Sequence, residues 1–307
     1  MKHVLTLLLL VLQSIGLPAQ EFGTHWISHP QPDSTSQIWF RHTYTAPSRP
    51  LRGFITITTT GLYKLYINEI EVGSSPLPQQ YGPNTAQATA ASYNVTRYLR
   101  TDSNTIAVWY SPASTHPETR QVSVVFSGQY INGNHFAHYS NADWLCRHSG
   151  GQLLPGGGEL FDATLSNDYW NANDFDPACW LGAVGTKAAT APAALHVHSF
   201  YTEEKTTNIR PPKYFDVEHD SLWFDFGEGF KGTVRLTLRD AHPGEHIYIG
   251  GLEYICSGRM DEQAYRRFTA PYCRKVLICG DGWFHREQIQ QVEALQHTNV
   301  WHHSYLY

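Results

Sequence analysis

Charge is scarce in this 307-residue chain: Asp, Glu, Lys and Arg make up only 16% of it, and no basic run occurs. With a net charge of −5, it has no electrostatic footprint for nucleic acid or for an anionic membrane. Cysteine is scarce too. Cys146, Cys179, Cys256, Cys273 and Cys279 are odd in number and fit no zinc spacing, so at least one is unpaired within a monomer. They read as buried small hydrophobes, with a single disulfide, leaving three free thiols, as the alternative in an oxidising compartment. Long helical periodicity is missing. The best helical window is Arg286 to Leu295, and it is short. The 17 histidines are scattered, and none stands in a metal motif such as H-E-x-x-H. There is no serine nucleophile elbow, and Gly156-Gly157-Gly158 lacks the lysine and the strand–helix context of a phosphate loop. Asp261-Glu262 is an adjacent acidic pair, but neighbours on a strand point to opposite faces, so a solvated loop is the better reading than an acid–base pair.

What is present is aromatic: 9 Trp, 18 Tyr and 14 Phe, a composition unlike that of a disordered chain. Residues 1–19 read as a secretory signal. Lys2 and His3 open it, Leu5 to Leu12 is apolar, and Leu17-Pro18-Ala19 precedes Gln20 as a small-residue cleavage site. The apolar run is too short to span a bilayer, and no cysteine follows it for lipid attachment. A secreted or periplasmic protein with no transmembrane segment is the expectation.

The centre of the pattern is Gly61 to Gly73. Tyr63, Leu65 and Ile67 alternate with Lys64, Tyr66 and Asn68, the period of a half-buried strand. Asn68-Glu69 turns the chain into Ile70–Val72. A type I′ turn wants positive φ at both central residues, and Glu69 carries a Cβ penalty there, so another turn type is expected. Leu51 to Thr60 reads as a strand with Ile55 and Ile57 inward and threonines outward. Thr233 to Arg239 alternates Val234, Leu236 and Leu238 inward, and Arg274 to Ile278 is a late strand. Asn94 or Thr96 can cap a short helical turn reaching Leu99. Asn94-Val95-Thr96 also matches a glycosylation sequon, and the cap is the favoured reading. Ser74 to Ser92 reads as a long loop and Ala188 to Ala194 as an Ala/Pro linker. Many short strands with turn signals give an all-β fold: two jelly-roll-like β-sandwich domains in tandem, at 20–190 and 191–307.

The series Gly61–Gly73, then Tyr93-Asn94-Val95-Thr96-Arg97-Tyr98-Leu99, then Asn104–Val108 resembles the N-terminal module of bacterial α-L-rhamnosidases of glycoside hydrolase family 78. The family pattern runs G-x-Y-x-L-x-I-N-G-x-x-V-G, then Y-x-x-Y-D-V-T-x-x-L, then G-x-N-x-I-x-V. Here Glu69 replaces the turn glycine and Asn94 the aspartate. Ser111 to Pro117 stands where relatives have a Gly-rich, Trp-containing loop. A second match is Glu159-Leu160-Phe161-Asp162-Ala163, followed by Trp170 and by Asp176 with Trp180. A third is Asp225 to Gly232, similar to the opening of the family's next sandwich domain. In such enzymes an α/α barrel supplies the catalytic carboxylates. No stretch of these 307 residues reads as that barrel, so whether the chain is an enzyme stays open.

The resemblance implies a rhamnose-containing glycan as partner, and implies calcium as a possible ligand of the acidic cluster Asp162, Asp168, Asn171, Asn173, Asp174 and Asp176. The spacing shows no EF-hand order, so a solvated loop and no cofactor is the residue-level reading. Carbohydrate-binding candidates are Glu159, Asp162, Trp170 and Trp144. Flat rings hold sugar C–H faces, and carboxylates take hydroxyls. Against this, tryptophans fill cores and Asp162 can satisfy turn amides. Trp170 is the ring expected to be exposed, because it follows Ser166-Asn167-Asp168-Tyr169. Glu159, beside three glycines, is expected to face a ligand. Three readings follow: a secreted non-catalytic carbohydrate-binding protein, a component of a rhamnosidase, or a protein-interaction module.

Overall fold

A computed structural model describes residues 25–74, 89–113, 120–187, 196–197, 200–218 and 221–303. The expected leader, the Ala188–Ala194 linker and most of the Ser74–Ser92 loop lie outside the described residues. The fold is all-β and sandwich-like. Among the described residues helix is confined to 3-10 turns, and no helix is long and apolar enough to cross a membrane.

Two sheets form. Seven strands make the smaller, with Arg52–Thr59 at its middle between Val122–Gln129 and Thr89–Asn94. Fifteen make the larger. Its path runs from Phe200–Arg210 through Ile289–His303, Ser221–Arg239, Tyr272–Gly280, His246–Ile249 and Leu252–Ile255. It continues through Glu159–Asp162, Leu145–Leu153, Ser36–Thr45, Ser103–Ser111 and Leu62–Ile67 to Ile70–Ser74. In the larger sheet, among the described residues, the strands of the early chain join those of the late chain where Glu159–Asp162 pairs in parallel with Leu252–Ile255. The two ends of the path, Phe200–Arg210 and Ile70–Ser74, approach each other, so the sheet is nearly closed.

Period-two patterning sets which core each residue enters. Ile38 and Phe40 pack with Leu65, Ile67, Ile55 and Val124 in the core between the two sheets. Trp39, between them in sequence, points the other way into a second core with Trp109, Phe161, Phe226 and Leu236. Ser36–Thr45 and Ser103–Ser111 are therefore covered on both faces along much of their length, which is why each carries an unbroken apolar run, Ile38–Phe40 and Ile106–Tyr110. Tyr63, Leu65 and Ile67 are buried as their period requires. Leu222–Arg239 keeps its alternation, with Val234, Leu236 and Leu238 buried.

Three local expectations are corrected. Asn68 and Glu69 both adopt positive φ, 49° and 75°, as a I′-type turn demands. Asn68 fits this conformation because its side chain is held at both ends. Its amide donates to Tyr98 O at 2.9 Å and Asn104 Oδ1 at 3.0 Å, and its oxygen accepts from Thr105 N–H at 3.0 Å. Thr56 and Thr58 take the face opposite Ile55 and Ile57, but that face is buried instead of open to solvent, and Thr59 falls on the isoleucine face. The window Arg286 to Leu295 is a 3-10 turn, Arg286–Gln288, and then strand, because Ile289–His303 pairs on both sides and buries Val292 and Ala294. The helical turn after Asn94 is one 3-10 turn, Thr96–Tyr98, with Asn94 Oδ1 accepting from Thr96 N–H at 3.1 Å. All five cysteines are free thiols.

Candidate functional site

The strand Glu159–Asp162 leaves a tight turn in which Gly156 and Gly157 both take φ of 83°, a conformation that favours glycine. Glu159 emerges inward, and is 1% exposed. Its Oε1 accepts from Phe268 N–H at 3.0 Å, Thr269 N–H at 2.7 Å and the Thr269 hydroxyl at 2.6 Å, and its Oε2 accepts from Arg267 N–H at 2.8 Å. A buried carboxylate is tolerable only when its lone pairs are met, and here four donors meet them. The expectation that Glu159 faces a ligand is corrected: it anchors the segment Arg266–Thr269. Arg266 ties the same segment down. Its guanidinium donates to Gly157 O at 2.9 Å and Thr269 Oγ1 at 3.0 Å and also reaches Gly250 O, and burial lowers its pKa.

The other sequence candidates do not converge. Trp170 is 5% exposed and stacks on Trp39 at 4.9 Å with rings 6° from parallel, so the expected exposed ring is a core ring. Trp180 stacks against both, 6.1 Å from Trp39 and 6.3 Å from Trp170. Trp144 lies in the other core, fully buried, with Nε1 donating to Tyr44 Oη at 3.1 Å. Asp162 Oδ1 accepts from Thr164 N–H at 2.9 Å and caps the 3-10 turn Ala163–Leu165. Its neighbours are spent in the same way. Asp168 pairs with Arg259, Asn173 accepts from Thr105 N–H at 3.0 Å, and Asp176 accepts from Ala178 N–H at 3.0 Å. Among the described residues no three of His, Cys, Asp and Glu come together in a group that could hold a metal ion.

A cleft of about 1050 Å³ opens where the large sheet nearly closes. One wall comes from Leu62–Lys64, Glu71–Ser74 and Asn94–Tyr98, and the other from Glu204–Thr206, Thr233, Arg235 and Tyr265–Ala270. Tyr63 and Tyr93 share a hydroxyl–hydroxyl bond of 2.8 Å at its floor. Arg97 lies over the ring of Tyr98 at 4.6 Å on the first wall, and Arg267 over the ring of Tyr265 at 3.6 Å on the second. The two acids that line it are engaged: Glu71 with Lys64 at 3.8 Å, and Glu204 with Lys231 at 3.4 Å and His297 at 3.5 Å. None of these residues was legible as a site from spacing, because the walls are distant in sequence. The one local signal is Tyr265-Arg266-Arg267, a dense cationic and aromatic tripeptide in a chain of low charge.

The backbone arrangement defines an all-β sandwich of the kind found within several solved glycosidases. The alpha-L-rhamnosidase of Dictyoglumus thermophilum superposes with a TM-score of 0.79 at 20% identity, over 93% of this chain and 37% of that one. The Streptomyces avermitilis alpha-L-rhamnosidase, solved with L-rhamnose, gives 0.74 at 18% identity, over 88% of this chain and 29% of that one. In sequence, an alpha-L-rhamnosidase of Alteromonas sp. (strain LOR) is 21% identical over 242 residues, which are 74% of this chain and 26% of that protein. Residues 48–200 match the family model of the alpha-L-rhamnosidase N-terminal domain, and the chain belongs to that family through them. It spans about a quarter of the length of the curated relatives it matches.

Proposed function

We propose that this protein is a secreted carbohydrate-binding module of the rhamnosidase type, that its sugar site is the cleft, and that its own residues carry out no glycoside hydrolysis. The cleft carries this reading. It has room for an oligosaccharide, tyrosine rings along its sides, and hydroxyl, amide and guanidinium groups within reach of sugar hydroxyls. Family membership favours a rhamnose-containing glycan as the ligand. Secretion rests on the leader-like first nineteen residues. The non-catalytic role rests on the state of the acids. Glu71 and Glu204 are in ion pairs, Glu159 is sealed under backbone amides, and Asp261 is paired with Arg239 at 2.8 Å. Glycoside hydrolysis needs two carboxyls facing each other across the scissile bond. As a component of a longer rhamnosidase, the same chain would present glycan to residues supplied elsewhere.

Titration calorimetry with rhamnose oligosaccharides, combined with hydrogen exchange, tests the site. Binding in the range of about micromolar to millimolar is expected for so open a cleft. Protection should appear in Asn94–Tyr98 and Tyr265–Thr269. Binding with protection elsewhere, or no binding, removes the cleft from the proposal. Turnover of an aryl α-L-rhamnoside that is abolished by changing one carboxylate of this chain would refute the non-catalytic role.

A further inference from the structure

We infer that the cleft selects acidic saccharides, sugars bearing a uronic carboxylate, over neutral ones; this rests on the cleft being the sugar site. The lining carries seven Lys or Arg side chains against two carboxylates, in a chain with 22 basic and 27 acidic residues. Cations are gathered here against the overall balance. The two lining carboxylates offset only a small part of them, because Glu71 is spent on Lys64, itself one of the seven, and Glu204 on Lys231 and His297. Arg235 is matched by Glu293, with both Nε and Nη2 on one carboxylate oxygen at 2.9 and 2.6 Å. Arg49, Arg97, Arg266 and Arg267 are held otherwise or stand exposed. Arg97 and Arg267 rest on tyrosine rings, and Arg266 donates to carbonyls and a hydroxyl. Glu159, buried behind Arg266–Thr269, offsets about one of these charges at short range. A positive surplus remains on both walls.

Arg267 makes the case sharper. Its Nε is buried and has no hydrogen-bond partner among the described residues. Its guanidinium sits over the Tyr265 ring at 3.6 Å and 5.1 Å from the Phe161 ring, and a planar fork held in that way pairs with a carboxylate bidentately. Facing it across the cleft, Arg97 repeats the arginine-on-tyrosine unit. A ring sugar with a carboxylate fits this pairing. Its hydroxyls and C–H face meet the tyrosines, and its anion meets a guanidinium. A small inorganic anion would leave the aromatic surfaces unused, and a neutral sugar would leave the cations unmatched.

The test is titration of the full chain with trigalacturonic acid and with its methyl ester, the same sugar without charge. The acid should bind at least about tenfold more tightly than the ester at low salt, and the ratio should fall toward one in about 0.5 M NaCl, where the Debye length is a few ångströms. The exposed double variant R49Q/R97Q should lose about tenfold for the acid and clearly less for the ester, so that the acid-to-ester ratio falls, with an unaltered melting temperature. R267Q gives the same reading from the opposite wall. Equal binding of acid and ester overturns the charge selectivity and leaves the cleft as a neutral-sugar site. Failure of both to bind overturns the inference, and titration with rhamnose oligosaccharides then decides separately whether the cleft is a sugar site. Acid binding that survives both R49Q/R97Q and R267Q places the anion site elsewhere and overturns the inference.

Discussion

Replacing Glu159 with glutamine changes one oxygen to NH2 and removes one charge, leaving the shape intact. The carboxylate accepts four hydrogen bonds between 2.6 and 3.0 Å, three at Oε1 and one at Oε2. The least damaging orientation of the amide keeps its oxygen toward Phe268, Thr269 and the hydroxyl. The NH2 then faces the Arg267 N–H, donor against donor. That orphaned amide costs about 1–3 kcal/mol, and loss of charge assistance at the other bonds adds roughly 1 kcal/mol or more in total. A destabilisation of about 2–4 kcal/mol is the expected sum, a large part of the roughly 5–15 kcal/mol that holds a domain folded. Urea unfolding of E159Q should show a lower midpoint at unchanged m-value, and native-state hydrogen exchange should accelerate first at Arg267–Thr269. Asp162→Asn, at a partly exposed cap, should cost no more than about 1 kcal/mol and serves as the control. An E159Q loss below about 1 kcal/mol, indistinguishable from the control, would refute the clamp.

Glu69→Gly removes a Cβ from a residue at φ 75° and should stabilise the protein by about 1 kcal/mol in thermal melts, since its ion pair with Arg100 is exposed and worth little; a neutral or destabilising result would show that the turn holds no strain. Trp170→Ala should destabilise by about 3–5 kcal/mol in denaturant titration, because it empties one layer of the Trp39 stack; a loss near zero would return Trp170 to the surface. Thiol titration at pH 8 should modify exposed Cys179 first. Burial pushes the Cys146 thiol up to about 12 and raises that of Cys256, so both stay protonated and silent until the protein unfolds; fast reaction of either in the native state would contradict their burial.

Strands were legible wherever burial follows a period of two. Tyr63-Leu65-Ile67 and Val234-Leu236-Leu238 fall where alternation puts them. The same logic missed what depends on partners. Arg286 to Leu295 has helical spacing, but two neighbouring strands claim its backbone. Glu69 tolerates positive φ because its neighbour Asn68 is tied to Tyr98, Asn104 and Thr105. Glu159 next to three glycines has the look of a ligand contact; its four donors come from the far third of the chain, which no local pattern can announce. Polar residues before Trp170 suggested exposure, yet Asn167 closes a turn and Asp168 pairs with Arg259 while the ring turns inward onto Trp39. The cleft is a product of topology alone, since it exists only where the sheet's first and last strands come round to each other.

The parallel ladder between Glu159–Asp162 and Leu252–Ile255 also sets an order of events during synthesis. A ribosome adding about 5–20 residues per second leaves the Glu159–Asp162 edge without its second neighbour for on the order of ten seconds. An unpaired edge is a template for pairing with another nascent chain, and a charge pointing inward from such an edge is one of the devices that discourages it. In that interval Glu159 has none of the amides of Arg267–Thr269 around it and stands hydrated on the open strand. The residue that later locks the segment in place thus begins as a guard on the growing edge, and its change to glutamine should raise aggregation during expression beyond what the loss of folded stability accounts for.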